Sequence, residues 1–209
     1  MSLCLFVSFA RRDASPVMEK LSRSRIAERY IVHAPTSARD PFLRDGAVPE
    51  VVIQAYFSEL GELDAAVPIL EEDLGRGAEC EAMTVTRIPV PQPGVGGCSY
   101  LVAYAGCADD AVAWHAHYNA HHVPLMAELP GIRELELYAP VEWHKTRGPW
   151  RVVRSLQRNK VAFDTAQALE AALQSPVRAK MRADFAAFPP YRGQVMHFPM
   201  LSFDPWLKK

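Results

Sequence analysis

The segment Pro89–Gly97, PVPQPGVGG, constrains this 209-residue chain more than any other stretch. Its prolines remove backbone donors and its glycines hold no regular conformation, so neither a helix nor a strand can cross it. What remains is two halves of similar length, and both read in the same order. In the second half, Ser99–Ala105 (SYLVAYA) is a strand, and Asp109 or Asp110 can cap a helix from about Ala111 toward Leu129, which Pro130-Gly131 stops. Ile132–Tyr138 alternates apolar and polar residues with one slip, as a half-buried strand does. A strand over about Val152–Ala162 follows, then an amphipathic stretch from Thr165 to about Phe185 that restarts at Pro176, and a last strand over Gln194–Phe203. In the first half, Leu3–Phe9, Ile26–Val32, Val51–Phe57 and Glu81–Ile88 read as strands, with helices over Pro16–Ser22 and Leu63–Leu74.

Each half is therefore β-α-β-β-α-β, the split βαβ or ferredoxin-like unit, with both helices on one face of an antiparallel sheet. The other face is bare and expected to be apolar, so it must be covered, and a second copy in the same chain is the economical cover. The expected fold is α+β: two tandem ferredoxin-like repeats, 1–88 and 98–205, joined by the 89–97 linker, with their sheets face to face. A local echo supports the duplication: Ile26–Tyr30 (IAERY) followed by Ala34-Pro35 parallels Ile132–Glu136 (IRELE) followed by Ala139-Pro140. Such closure needs no second chain, and it leaves the helix faces open for a homodimer.

Composition narrows the function classes. Apolar residues are 49% and charged residues 22%, and the net charge of −1 offers no basic face to nucleic acid. The opening run MSLCLFVSFA precedes Arg11 and Arg12, the reverse of a signal peptide's charge order, and reads as a strand. No apolar stretch reaches the roughly 18 residues of a membrane helix, so a cytoplasmic protein with no membrane partner is expected. Cys4, Cys80, Cys98 and Cys107 form no metal or disulfide spacing and are expected to pack as buried thiols.

The chemistry concentrates in Trp114–Tyr138, WHAHYNAHHVPLMAELPGIRELELY, which holds four of the seven histidines within eight residues. At α-helical spacing Trp114, Tyr118, Leu125 and Leu129 share the stripe that faces the sheet, and His115 falls beside His122. Pro124 interrupts the helix, frees the carbonyl of Ala120 and can tilt His122 toward a cavity. His122 is the first candidate for proton transfer at neutral pH, with Tyr118 and His115 as further catalytic candidates. His121, Asp184, Trp143 and Arg147 are candidate substrate contacts, the last two on a basic, aromatic loop over Glu142–Arg154. His117 and His121 have a spacing that can share an ion, but no carboxylate stands at a third-ligand position, so no metal is expected.

The residues Tyr118, His122-Val123-Pro124-Leu125 and Leu129-Pro130-Gly131, then Phe163, Thr165, Ala168-Leu169, Ala172-Leu173, Ser175-Pro176, Asp184 and Phe188, resemble the pattern of the EthD-like family of the dimeric α+β barrel superfamily over residues 98–204. The first helix of the first half carries neither an H-x-P nor a histidine. The resemblance implies a small-molecule enzyme that works without a cofactor, by proton transfer, cyclisation or oxygenation of an aromatic, polyketide-like or xenobiotic compound. A binding or accessory protein for a small apolar molecule, haem included, is the alternative. One site per chain is expected, in the second half.

Overall fold

A computed structural model describes residues 2–10, 12–41, 48–144 and 148–206. In the first half, β1 (Ser2–Phe9), α1 (Ala14–Arg23), β2 (Arg29–Pro35), β3 (Val51–Phe57), α2 (Leu60–Leu74) and β4 (Ala78–Ile88) follow in order. Asp13 caps α1 by accepting from the Ser15 N–H. In the second half come β5 (Cys98–Ala108), α3 (Ala111–His117), a π-helical turn (Tyr118–His122), α4 (Val123–Ala127) and β6 (Ile132–Pro140). They are followed by β7 (Arg151–Val152), β8 (Gln157–Phe163), α5 (Ala166–Leu173), α6 (Pro176–Phe185) and β9 (Tyr191–Phe203). Of the two caps expected at Asp109 or Asp110 the structure uses Asp110, and Thr165 caps α5; each side chain accepts from the backbone three residues on.

The strands run β1-β3-β2-β9-β5-β8-β6-β4, and β4 pairs back onto β1. Every one of these pairings is antiparallel, so eight strands of one chain close into a barrel. The two halves do more than face each other. They are hydrogen-bonded edge to edge, β2 on β9 and β6 on β4, which removes every long open edge. Both β2 and β6 end in the Ala-Pro pair noted in the sequence.

Side chains alternate between the barrel's interior and its outer surface, where the helices lie. One apolar cluster packs α1 and α2 on the first half's strands, and another packs α3 to α6 on the second half's. The interior holds a smaller cluster that includes Phe6, Ile31, Val52, Leu101 and Met200. It departs from the expected apolar face, because charge is buried there too: Lys160 and Glu136 are 0% exposed, and His33, Gln54, Glu81 and Arg158 are also buried.

Of three further differences, the first two have physical causes. The strand expected over Val152–Ala162 is two pieces: β7 runs parallel to Glu79-Cys80, on the edge of β4 that β6 leaves when it ends at Pro140, and the chain then crosses to β8. The linker is not loose. A Cβ on Gly96 would stand 2.8 Å from the carbonyl oxygen of Phe163, so only glycine lets the backbone lie this close to β8. Cys4, Cys80 and Cys98 are buried as expected, but Cys107 is exposed. No helix among the described residues is long and apolar enough to cross a membrane.

Candidate active site

The π turn is the device that builds the site. Pro124 has no N–H for the Ala120 carbonyl, and the Val123 N–H bonds back to the Tyr118 carbonyl, five residues earlier. This wider turn takes up one more residue than an α-turn and rotates everything after it. His117 and His122, five apart, therefore converge on one carboxylate: His117 Nε2 lies 2.9 Å from Asp184 Oδ1, and His122 Nδ1 lies 2.8 Å from Asp184 Oδ2. Asp184 stands in the last turn of α6. For the same reason His115 does not sit beside His122. Its Nδ1–H donates to the Ala111 carbonyl at 2.8 Å, within its own helix.

His122 is 6% exposed. Burial holds its pKa below the usual histidine value, outweighing the hydrogen bond and charge of Asp184, which act upward. At neutral pH the ring is therefore neutral. Its Nδ1–H donates to Asp184, and Nε2 is left as an acceptor with no hydrogen bond to any described residue. Carboxylate-oriented imidazole with one bare nitrogen is the arrangement of a general base.

His122 lines a cavity of about 250 Å³ between the outer face of β5, β8 and β9 and the helices. Val102, Val161, Leu173 and Phe185 make its walls apolar, and Asn159 and Arg178 add polar groups. One wall depends on the first half of the chain. Arg178 Nε and Nη2 donate to Asp40 Oδ2 at 3.1 and 2.9 Å, and the Tyr100 hydroxyl donates to the same oxygen at 2.7 Å. Ala38, two residues before Asp40, packs into the second half's core. Asn159, Arg178 and Asp40 were not singled out in the sequence. Asn159 and Arg178 sit where a strand and a helix each present a polar residue, and Asp40 stands in a stretch with no periodicity to place it.

The remaining candidates separate. Tyr118 is wholly buried behind His122, its ring stacked on Trp114 with centroids 5.1 Å apart and its hydroxyl accepting from Asn159 Nδ2 at 2.6 Å. Burial drives its pKa far up, so it remains a neutral phenol and cannot serve as a base. His121 is exposed, its ring 4.7 Å from that of His117. Trp143 does not reach the cavity. Its Nε1–H donates to Asp64 Oδ1 at 2.6 Å, and it packs with Trp150 into the first half's core, which corrects its assignment as a substrate contact. The apolar bulk of the two indoles draws this loop onto α2 rather than over the site. Arg147 lies outside the described residues. Trp143→Phe is accordingly expected to cost about 1–2 kcal/mol, the loss of a half-buried hydrogen bond and some packing, with ligand affinity at the cavity unchanged. Thermal melts and a binding titration on the same protein check both halves of that statement.

Among solved structures, an anthrone oxidase-like protein superposes with a TM-score of 0.60 at 11% identity, covering 98% of this chain and 93% of its own. A protein from Fusobacterium nucleatum described as a monooxygenase gives 0.59 at 7% identity, covering 96% of this chain and 91% of its own. One from Lactobacillus acidophilus with the same description gives 0.54 at 10%, covering 96% and 93%. The chain shares with these proteins the fold described above, an α+β barrel of eight antiparallel strands. At these identities the likeness extends to the fold alone. No family model matches the sequence, and no curated protein does. In this α+β barrel the candidate base lies outside the barrel, under the helices of the second half.

Proposed function

We propose that the chain is a small-molecule enzyme in which His122, oriented by Asp184, removes a proton from an aromatic or polyketide-like compound held in the cavity. The observation that carries this reading is the bare Nε2 of a buried, neutral, carboxylate-bound histidine on the wall of an apolar cavity. Loss of an acidic C–H or O–H proton to Nε2 leaves an electron-rich carbanion or phenolate. That anion can attack a carbonyl of its own skeleton, which is cyclisation, or react with dioxygen as co-reactant, which is oxygenation. The names of the structural neighbours, an anthrone oxidase-like protein and two described as monooxygenases, favour the second. The EthD-like pattern in residues 98–204 adds to the same reading.

We read the barrel as two ferredoxin-like repeats, 1–88 and 98–205. The matching strand orders β4-β1-β3-β2 and β9-β5-β8-β6 support this, and only the second repeat has kept a site. A cavity of about 250 Å³ lies just below the usual ligand-pocket range of about 300–1,000 Å³, which favours a compound of one to three fused rings over haem.

The test is incubation of the protein with a panel of enolisable aromatics, anthrone among them, under air and under argon, following substrate loss and oxygen uptake. Turnover under air supports oxygenation, and turnover under both supports cyclisation or isomerisation. Stoichiometric binding without turnover of any member overturns the enzymatic reading in favour of an accessory binder. The pH profile carries a signed expectation. The base is competent only when unprotonated, and its pKa is held below 6.5. So kcat/KM should be flat from pH 7 to 8 and fall about tenfold per unit below a midpoint under 6.5. A midpoint above 7 would exclude His122 in this environment.

A further inference from the structure

Among the described residues, four buried side-chain polar atoms have no hydrogen-bond partner: Trp114 Nε1, His115 Nε2, Gln157 Nε2 and Asn159 Oδ1. All four stand on α3 or β8. Folded proteins leave few such atoms, and an unpaired one usually marks a missing water or ligand. Of the four residues, Asn159 lines the cavity, together with His122. It is 3% exposed.

The orientation of its amide follows from its neighbours. The Tyr118 hydroxyl directs its hydrogen at the thioether of Met126, 3.8 Å away, and accepts from Asn159 Nδ2 at 2.6 Å. With the amide nitrogen held by the phenol oxygen, the carbonyl oxygen is turned away from it. Tyr118 is itself fixed by stacking on Trp114 and by edge contact with Tyr104. The Asn159 amide is thus held by a rigid aromatic wall, and a carbonyl oxygen can only accept.

We propose that Asn159 determines specificity. Its side-chain carbonyl accepts a hydrogen bond from a ring hydroxyl of the substrate, which restricts the cavity to hydroxylated aromatics. This rests on reading the cavity as the substrate site and narrows the substrate class within it. The hydroxyl on Asn159 and the acidic proton facing His122 fix two points of a planar molecule, and the apolar walls at Val102, Val161 and Leu173 take its faces. A compound without the hydroxyl leaves the buried carbonyl unpaired, and a site built to hydrogen-bond a hydroxyl discriminates strongly against the analogue that lacks it.

The experiment compares equilibrium binding of 1-naphthol and 1-methoxynaphthalene to the full chain by fluorescence titration. The two differ by the donor and one methyl group, and binding requires no turnover. The wild type is expected to bind 1-naphthol at least about tenfold more tightly. In Asn159→Leu, of similar volume, the preference should vanish through weaker binding of the naphthol. In Asn159→Asp, which keeps an acceptor, it should persist, and this second variant also serves if the leucine variant fails to fold. Equal binding of both compounds by the wild type, or an unchanged preference in Asn159→Leu, overturns the assignment of Asn159 and leaves the His122 reading standing. Failure of both compounds to bind overturns the aromatic cavity itself, and this inference with it.

Discussion

Replacing His122 with alanine is expected to lower kcat by about a hundred- to ten-thousand-fold, the usual contribution of a positioned general base. That is about 3–5 kcal/mol of barrier. The fold should be little affected, because the ring sits at the cavity wall and its deletion enlarges a space that already exists. Asp184→Asn keeps the shape and can still accept the Nδ1–H, but it loses the charge that makes the imidazole basic and steadies its protonated form, so a smaller fall of about tenfold to a hundredfold is expected. His117 shares that carboxylate through its other oxygen, and His117→Ala should free Asp184 for His122 without abolishing activity. His33→Ala is the matched control. It too removes a buried histidine, 0% exposed, but from the barrel interior, where Nε2 lies 2.9 Å from Gln54 Oε1. It should cost about 1–3 kcal/mol of stability by leaving that amide oxygen without its His33 partner and should leave activity nearly intact. Steady-state kinetics and thermal melts of the four variants separate these outcomes. Full activity in His122→Ala, or its loss in His33→Ala alone, would place the site in the wrong half.

Most of the architecture was legible because it depends on periodicity. Strands such as Ile132–Tyr138 and a cap such as Asp110 announce themselves locally, and the repeated order of elements implies closure within one chain. The sequence misleads where a single residue changes the phase. Helical spacing placed His115 beside His122, and one π turn undid that and brought His117 in instead. Pro124 was the visible signal of an irregular turn, but nothing in the sequence says that the irregularity is a wider turn rather than a bend. Asp184 was recognised by its place in a pattern, yet its function as a shared acceptor needs α6 to be packed against the π turn. Strand β8, QRNKVAF, is the other instructive case. Arg158 and Lys160 put two positive charges on this strand, and every residue of β8 is buried. Charge can enter a barrel if its counter-charges arrive from other strands, and that pairing spans residues far apart in sequence.

The interior network is where the second large effect is expected. Lys160 Nζ lies 2.8 Å from Glu136 Oε2 and 2.8 Å from Glu134 Oε2. Tyr56 and Tyr138 donate to the same Glu136 oxygen at 2.8 and 2.6 Å, and Arg87 donates to its other oxygen at 3.0 Å. Burial alone would raise the Glu136 pKa, but the charge of Lys160 and the hydrogen bonds from Lys160, Tyr138 and Tyr56 prevail and hold it near 2. Lys160→Met keeps the length of the side chain and removes the charge, leaving a carboxylate in the barrel without its principal counter-ion. A loss of about 3–5 kcal/mol is expected. Lys160→Met combined with Glu136→Leu removes both charges and should recover much of that loss, so the double variant should be more stable than Lys160→Met alone. Acid should act on the wild type in the same direction. A carboxyl with its folded pKa near 2 stabilises the fold fully above its ordinary value of 4.5, and that contribution disappears as pH falls toward 2. Burial, aided by the charge of Lys160, holds His33 neutral down to about 3 against an ordinary 6.5, so the unfolded chain takes up its proton first and the fold weakens as pH drops below 6.5. Urea unfolding between pH 8 and pH 3 should therefore show a plateau near neutrality and a steep decline below about pH 6. In Lys160→Met, Glu136 loses what holds its pKa down, and the Glu136 part of the decline should flatten. Equal stability of the single and double variants would mean that the barrel tolerates an unpaired charge, and the interior would then have to be far wetter than its packing implies.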